Sequence, residues 1–274
     1  MKGSHMQMKL GVLGPLHAQL GGGSIVPTAG KPRQVLALLA LRAGRAVPVS
    51  TLMEELWGDA PPRSASTTLQ TYVLHLRRAI AAALPEGCAL SPKDVLGMSF
   101  GGYRLAAVVE EHDLTGFEDL ALRGATALEA GDARAAADLL RRALDLWRGL
   151  ALEDVPQGTV LELEAIGMEE TRMQVLEQRI TAGLRLGRHA LLIPELRVLT
   201  ARHPLNENLS AQLMTAFHRA GSTWRALEEF RRLHRSVGEE LGIEPGVRLQ
   251  RLHQAILSGE PEADELDLSP LLAG

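Results

Sequence analysis

The sequence predicts a mainly α chain with a small β component: an α+β front part followed by an all-α remainder. Three observations carry this. Short alternating or glycine-punctuated segments occupy residues 8–28 and 88–107. From Asp113 onward the apolar residues recur at helical spacing, with almost no strand signal. Leu and Ala are plentiful while only 3% of residues are aromatic, which favours packed helices. The chain has 274 residues, 46% hydrophobic and 23% charged, so a wholly disordered chain is excluded and one large or two ordinary domains are allowed. The single cysteine, Cys88, rules out an intrachain disulfide and a cysteine-rich zinc site. Apolar runs fall short of the about 20 residues that a spanning helix needs, and Arg42 and Arg45 end the best candidate.

Residues 1–6 (Met-Lys-Gly-Ser-His-Met) read as a cloning scar, so residues 1–7 are set aside as scar or disordered. Residues 8–13, 17–20 and 25–27 are short strands, with Gly21, Gly22 and Gly23 making the turn between the last two. Lys31 and Pro32 then open a helix bearing Val35, Leu36, Leu38, Leu39 and Leu41, closed by Gly44. Ser50 is the expected N-cap of a second helix with Leu52, Met53, Leu56 and Trp57; Gly58 ends it and Pro61-Pro62 forbid its continuation. A third helix runs from Ser64 or Ser66 to Ala83. Leu69, Tyr72, Val73, Leu76 and Ile80 form its inner stripe, and Thr67, Gln70, Thr71, Leu74, His75, Arg77 and Arg78 its outer face. Residues 95–105 then read as a hairpin turning at Gly101-Gly102.

Strands, three helices and a hairpin in that order are the layout of a winged helix-turn-helix. The third helix would lie in the major groove, and the hairpin would be the wing, with Lys93, Tyr103 and Arg104 near the backbone or minor groove. The polar outer face of that helix also suits plain solvent, and charge bears on the choice. Residues 1–108 hold 11 Lys and Arg against 5 Asp and Glu; the rest holds 18 against 28. A basic front and an acidic back suggest separate jobs, since charge reports on partners rather than on fold, with drift in surface composition as the alternative.

Gly187 and Gly221 each separate two helical segments, 34 residues apart, the tetratricopeptide period; Leu199 and Leu233 keep the register. Gly131 marks an earlier turn, and its longer interval to Gly187 calls for an insertion or longer helices. Residues 259–274, with Glu260, Glu262, Asp264, Glu265 and Asp267, read as an acidic flexible tail.

Other motifs fail on context. Gly97-Met98-Ser99-Phe100-Gly101 fits the G-x-S-x-G pattern, but a hydrolase needs a strand-to-helix elbow there, not a hairpin. Ile25 stands where a phosphate loop ending at Gly30-Lys31 needs glycine, and Pro32 follows the lysine. The histidines lack metal-ligand spacing, Cys88 reads as an ordinary thiol, and Trp57, Trp147 and Trp224 read as packing residues. Neither a cofactor nor enzymatic activity is expected.

Residues 10–16 (Leu-Gly-Val-Leu-Gly-Pro-Leu), 30–39 (Gly-Lys-Pro-Arg-Gln-Val-Leu-Ala-Leu-Leu), the Leu56-Trp57-Gly58 ending and above all residues 67–78 (Thr-Thr-Leu-Gln-Thr-Tyr-Val-Leu-His-Leu-Arg-Arg) resemble the antibiotic regulatory proteins of Streptomyces. Gly102-Tyr103-Arg104-Leu105 fits that family's wing. Phe117, Trp147-Arg148-Gly149, His203-Pro204-Leu205-Asn206-Glu207 and residues 241–246 are similar to its bacterial transcriptional activation domain. The resemblance covers about residues 8–258. It implies an OmpR-like winged helix-turn-helix at 8–108 and a tetratricopeptide-like activation domain at 109–258. Such proteins bind direct repeats near promoters and recruit RNA polymerase to switch on secondary-metabolite clusters. The sequence stops after the activation domain and carries no ATPase module, as in the small members.

On that reading Thr67, Gln70, Thr71 and Leu74 contact bases, Leu74 against a thymine methyl or as an ordinary exposed leucine. Arg63, His75, Arg77, Arg78, Lys93, Tyr103 and Arg104 contact phosphates. By resemblance, Glu54, Glu55, Trp57 and Asp59 face the polymerase and its sigma factor, unless the loop merely ends one helix and aims the next. The expected partners are promoter DNA, RNA polymerase holoenzyme and a second copy in tandem, in the cytoplasm at the nucleoid and away from membranes. A repressor with the same fold and a helical interaction scaffold are the alternatives.

Overall fold

The apolar alternation at the front of the chain becomes strand β1 (Gln7–Gly11), with Met8 and Leu10 buried. A computed structural model describes residues 7–86, 88–106 and 108–259. Residues 1–6 and the acidic stretch from 260 lie outside these, whereas Gln7, grouped with the scar, is the first residue of β1. Compactness divides the chain into two units. One holds the chain up to Asp119 together with Ala143–Arg172; the other holds Leu120–Arg142 and the chain from Met173.

In the first unit β1 pairs antiparallel with β2 (His17–Leu20), Met8 facing Leu20. Gly21 and Gly22, at φ 57° and 89°, turn β2 into the short β3 (Gly23–Ser24), in the left-handed conformation that favours glycine. The strand expected at 25–27 is absent: Ile25 N still donates to the Ala18 carbonyl (3.0 Å), but Pro27 has no N–H to extend the ladder. The helices α1 (Gly30–Leu41), α2 (Val49–Trp57) and α3 (Ala65–Ala83) converge on one core. Leu36 and Leu39 come from α1, Leu52 and Leu56 from α2, and Leu69, Val73, Leu76 and Ile80 from α3. The α3 stripe is the one its periodicity predicts, except that Tyr72 is only half-buried. Each of these side chains contributes about 1.5–3 kcal/mol on burial.

The Ser50 cap is not realised. Val47 and Pro48 form strand β4, and α2 opens immediately after it, at Val49, with no side-chain cap. Before the hairpin lies a one-turn helix the sequence reading did not contain, α4 (Pro92–Val95). The Asp94 carboxylate accepts from the Ser91 N–H and hydroxyl, both at 2.7 Å, which holds its pKa below the ordinary carboxylate value. Strands β5 (Leu96–Ser99) and β6 (Gly102–Leu105) follow, giving a sheet in the order β4-β6-β5. A further strand, β7 (Val108–His112), pairs parallel with β1 at the edge of the sheet β3-β2-β1-β7. Its Glu110, Glu111 and His112 hid it from pattern reading, although charge is normal on an edge strand. Lys9 bridges to Glu111 at 2.8 Å, and that hydrogen bond raises the lysine pKa.

Next in the chain come α5 (Asp113–Glu129), α6 (Ala133–Leu144) and α7 (Thr159–Arg185). The 27 residues of α7 and the stretch before it account for the long Gly131–Gly187 interval. Within the first unit, that stretch is tied to the front sheet and helices. Asp113 accepts from the N–H groups of Val12 (2.9 Å) and Leu13 (3.1 Å) and from Arg148 (2.9 Å). Arg148 also donates to the Pro15 carbonyl, and Asp154 accepts from the Leu16 N–H (2.7 Å) and Arg33 (3.0 Å). Phe117, fully buried, meets Trp147 edge-on at 5.5 Å, and Arg172 covers the Trp147 ring at 4.5 Å.

The second unit stacks α8 (His189–Arg202), α9 (Glu207–Arg219), α10 (Thr223–Leu241) and α11 (Val247–Ser258). Its core includes Leu196, Leu213, Met214, Leu233, Val237 and Leu252. Gly187 and Gly221 sit between helices at φ 74° and 77°, the matching turns that the 34-residue period implies. The Asn206 side chain caps α9 by accepting from Leu209 N at 3.0 Å. The buried Glu177 accepts from Asn206 (2.8 Å) and Asn208 (3.2 Å).

Candidate nucleic-acid interface

The outer face of α3 is polar and open. Thr67, Gln70, Thr71, Leu74, His75 and Arg78 are all exposed, one helical turn after another, while the opposite stripe is held in the core. Leu74 is 46% exposed, an uncompensated apolar side chain amid polar neighbours. The Thr71 hydroxyl donates to the Thr67 carbonyl at 3.1 Å, so its oxygen is left to act as an acceptor. Arg63 is exposed just before the helix.

Basic side chains on α3, just before it and in the hairpin region are exposed as well. Arg63, His75, Arg78, Lys93 and Arg104 are exposed and form no ion pair with other described residues. Unpaired, solvated arginines and lysines retain their full capacity for phosphate. Arg77 differs. It is half-buried, and its Nε donates to the Leu96 carbonyl at 3.0 Å, joining the third helix to the base of the hairpin. Tyr103 differs more: it is 6% exposed, placed on β6 opposite Val47 and Met98. A phosphate contact through its ring is corrected to a packing role, because period-2 alternation turns Arg104 outward and Tyr103 inward.

Of the four residues expected to meet polymerase, Glu54 and Asp59 are exposed. Trp57 is half-buried, its ring 6.4 Å from that of Tyr72 and inclined by 22°. Glu55 is 2% exposed and has no surface to offer. One of its oxygens accepts from Gly158 N (2.6 Å) and Gln34 Nε2 (2.9 Å), the other from Leu161 N (2.9 Å). The carboxylate therefore caps the N-terminus of α7, where free N–H groups and the helix dipole favour negative charge. No local pattern signals this contact, since the partners are more than 100 residues apart. A Cβ at Gly158 would lie 2.1 Å from the Glu55 carbonyl oxygen, so only glycine fits there. Lys31 Nζ donates to the Leu56 carbonyl and steadies the end of α2; it is not a phosphate-loop lysine.

Ser99 lies in an antiparallel hairpin opposite Gly102, with strand on both sides and no nucleophile elbow. No helix among the described residues is long and apolar enough to cross a membrane. The hairpin tip holds what sequence reading passed over. Met98 and Phe100, within the hairpin that the sequence predicts, are 68% and 100% exposed.

The chain matches two family models: transcriptional regulatory protein, C terminal, over residues 23–104, and bacterial transcriptional activator domain over residues 112–257. It is 51% identical over 257 residues to the regulatory protein DnrI of Streptomyces peucetius, covering 94% of each chain. It is 38% identical to the regulatory protein AfsR of Streptomyces coelicolor, matching 94% of this chain but 25% of that longer one. Among solved structures it is similar to Mycobacterium tuberculosis EmbR in complex with a low-affinity phosphopeptide. The TM-score is 0.86 at 32% identity, covering 96% of this chain and 68% of that one.

Proposed function

The chain belongs to the Streptomyces antibiotic regulatory proteins, a family of transcriptional regulators, and from that premise we propose that it is a sequence-specific, DNA-binding activator. It binds direct repeats near a promoter and recruits RNA polymerase, switching on a secondary-metabolite cluster in the cytoplasm. Residues 8–108 bind DNA and residues 109–258 carry activation. The observation that best supports this is the exposed outer face of α3, together with exposed Arg63, His75, Arg78, Lys93 and Arg104, which form no ion pair among the described residues.

In this reading α3 enters the major groove. Gln70 pairs with adenine, Thr67 and Thr71 meet base edges, and Leu74 touches a thymine methyl. With its proton spent on the Thr67 carbonyl, Thr71 accepts from an amino group of adenine or cytosine. These five basic side chains hold phosphates and set the register. Glu54, Asp59 and the rim of Trp57 face a basic surface of the polymerase and its sigma factor. Two protomers lie head to tail, since half-site arrangement mirrors protein arrangement.

Selection from a random duplex library at near-physiological salt, followed by footprinting, tests the reading. Direct repeats about 10–10.5 base pairs apart are expected. Weak binding abolished by salt, with no enriched sequence, would leave the helical half as a protein-interaction scaffold. Repression rather than activation of a reporter driven by the selected site would overturn the polymerase role alone.

A further inference from the structure

The hairpin of β5 and β6 closes through Phe100 and Gly101, at φ 48° and 74°, after the last pair Ser99–Gly102. A two-residue turn with both central residues at positive φ favours Asn-Gly; a bulky aromatic at the first position is strained. The strain is not relieved by packing, because Phe100 is fully exposed. Nor can the tip relax easily. Val49 N donates to the Gly101 carbonyl at 3.3 Å, and a Cβ on Gly102 would lie 2.1 Å from the Val47 carbonyl oxygen. The sheet thus holds an aromatic ring in water, with Met98 two residues before it also exposed.

We infer that the wing tip is an apolar wedge: Phe100, assisted by Met98, enters the minor groove and unstacks one base step. This rests on the DNA-binding reading and adds to it a deformation of the DNA. Charge points to nucleic acid as the occupant. Arg104, opposite Gly97 on the hairpin, and Lys93, in α4 just before it, are exposed and carry no ion pair with described residues, so the hairpin that ends in the apolar tip has basic side chains of its own for phosphates. The Arg77 bond to the Leu96 carbonyl ties the base of the hairpin to α3, so a helix seated in the major groove keeps the hairpin beside the same duplex, where the adjacent minor groove is the groove left for its tip. Proteins that bind there combine cations for phosphates with Phe or Met wedges that open a flexible step.

The test uses the whole chain, the duplex selected above and F100N, which suits the turn and removes the ring. 2-Aminopurine is placed in turn at each step beside the recognition site. The unsubstituted protein is expected to raise its fluorescence at one step. F100N is expected to abolish that signal, bind about ten-fold more weakly as loss of a central apolar contact does, and melt no lower. Bound, footprinted DNA with no fluorescence change would overturn the wedge. So would F100N that binds a single half-site like the parent and loses only pairing on tandem sites, since the tip would then contact a second protomer. A parent protein that selects no sequence would instead sink the DNA-binding reading beneath it.

Discussion

Replacing Glu55 by alanine removes the acceptor of three donors at once. Leu161 N–H and the Gln34 amide are buried, and each buried donor left unpaired costs about 1–3 kcal/mol. Gly158 N–H is half-exposed and regains water, so it adds little. Loss of the carboxylate from the α7 N-terminus adds about 0.3–1 kcal/mol. Gln34 Oε1 has no hydrogen-bond partner among the described residues, so among them only Glu55 holds that amide. Together these give a destabilisation of about 2–7 kcal/mol, a span that brackets the about 3–5 kcal/mol typical of breaking a buried charged pair. Glu55→Gln keeps the volume but sets an amide NH2 against an N–H donor, and should cost about half as much. The assay is urea unfolding in a Trp224→Phe background. Trp57 and Trp147 both belong to the first unit, so fluorescence then follows that unit alone. Loss of less than about 1 kcal/mol in Glu55→Ala would refute the capping argument. Lower activation at unchanged stability would restore Glu55 as a polymerase contact.

Thr71→Ala should relax base preference at one operator position at a cost of about 1–3 kcal/mol, while Arg78→Ala should weaken all sequences and flatten the salt slope by about 0.9; equal losses on cognate and random DNA for Thr71→Ala would sink its base contact. Asp59→Arg should abolish reporter activation while leaving the footprint intact, and unchanged activation would remove the polymerase contact. His253 stacks on Phe230 at 3.8 Å, and burial, aided by the Arg231 charge, lowers its pKa below 6.5. The unfolded chain therefore takes up the proton first, so stability is lost as pH falls through 6.5 toward the folded pKa and is unaffected well above it. Melting of the second unit, followed through Trp224 between about pH 8 and about pH 5, should show this loss, and His253→Phe should reduce it; identical pH slopes would refute it.

Local pattern determined a good deal. The 3.6-residue spacing of Leu69, Val73, Leu76 and Ile80 was enough to place the inner face of α3, and hence its outer face, because a helix has only two sides to assign. The turns at Gly187 and Gly221 were legible because left-handed backbone selects glycine wherever it occurs. Strand β7 was not: its charges break the alternation, and its place depends on β1, 100 residues earlier. Tyr103 and Arg104 are neighbours in sequence, but the pleat turns the first inward and the second outward.

The carboxylates divide in the same way. Glu54, Glu55 and Asp59 form one acidic cluster in the sequence, and nothing local distinguishes them. Only the folded chain sends Glu55 inward to the N-terminus of α7 and leaves the other two in water. Asp113 is likewise an unremarkable acid until Val12, Leu13 and Arg148 meet around it. Sequence by itself determines what each short segment can form, because backbone preference and periodicity act over a few residues. Which charges are buried, and which faces remain open to a partner, is decided by contacts between segments more than 100 residues apart, and these exist only once the chain has closed on itself.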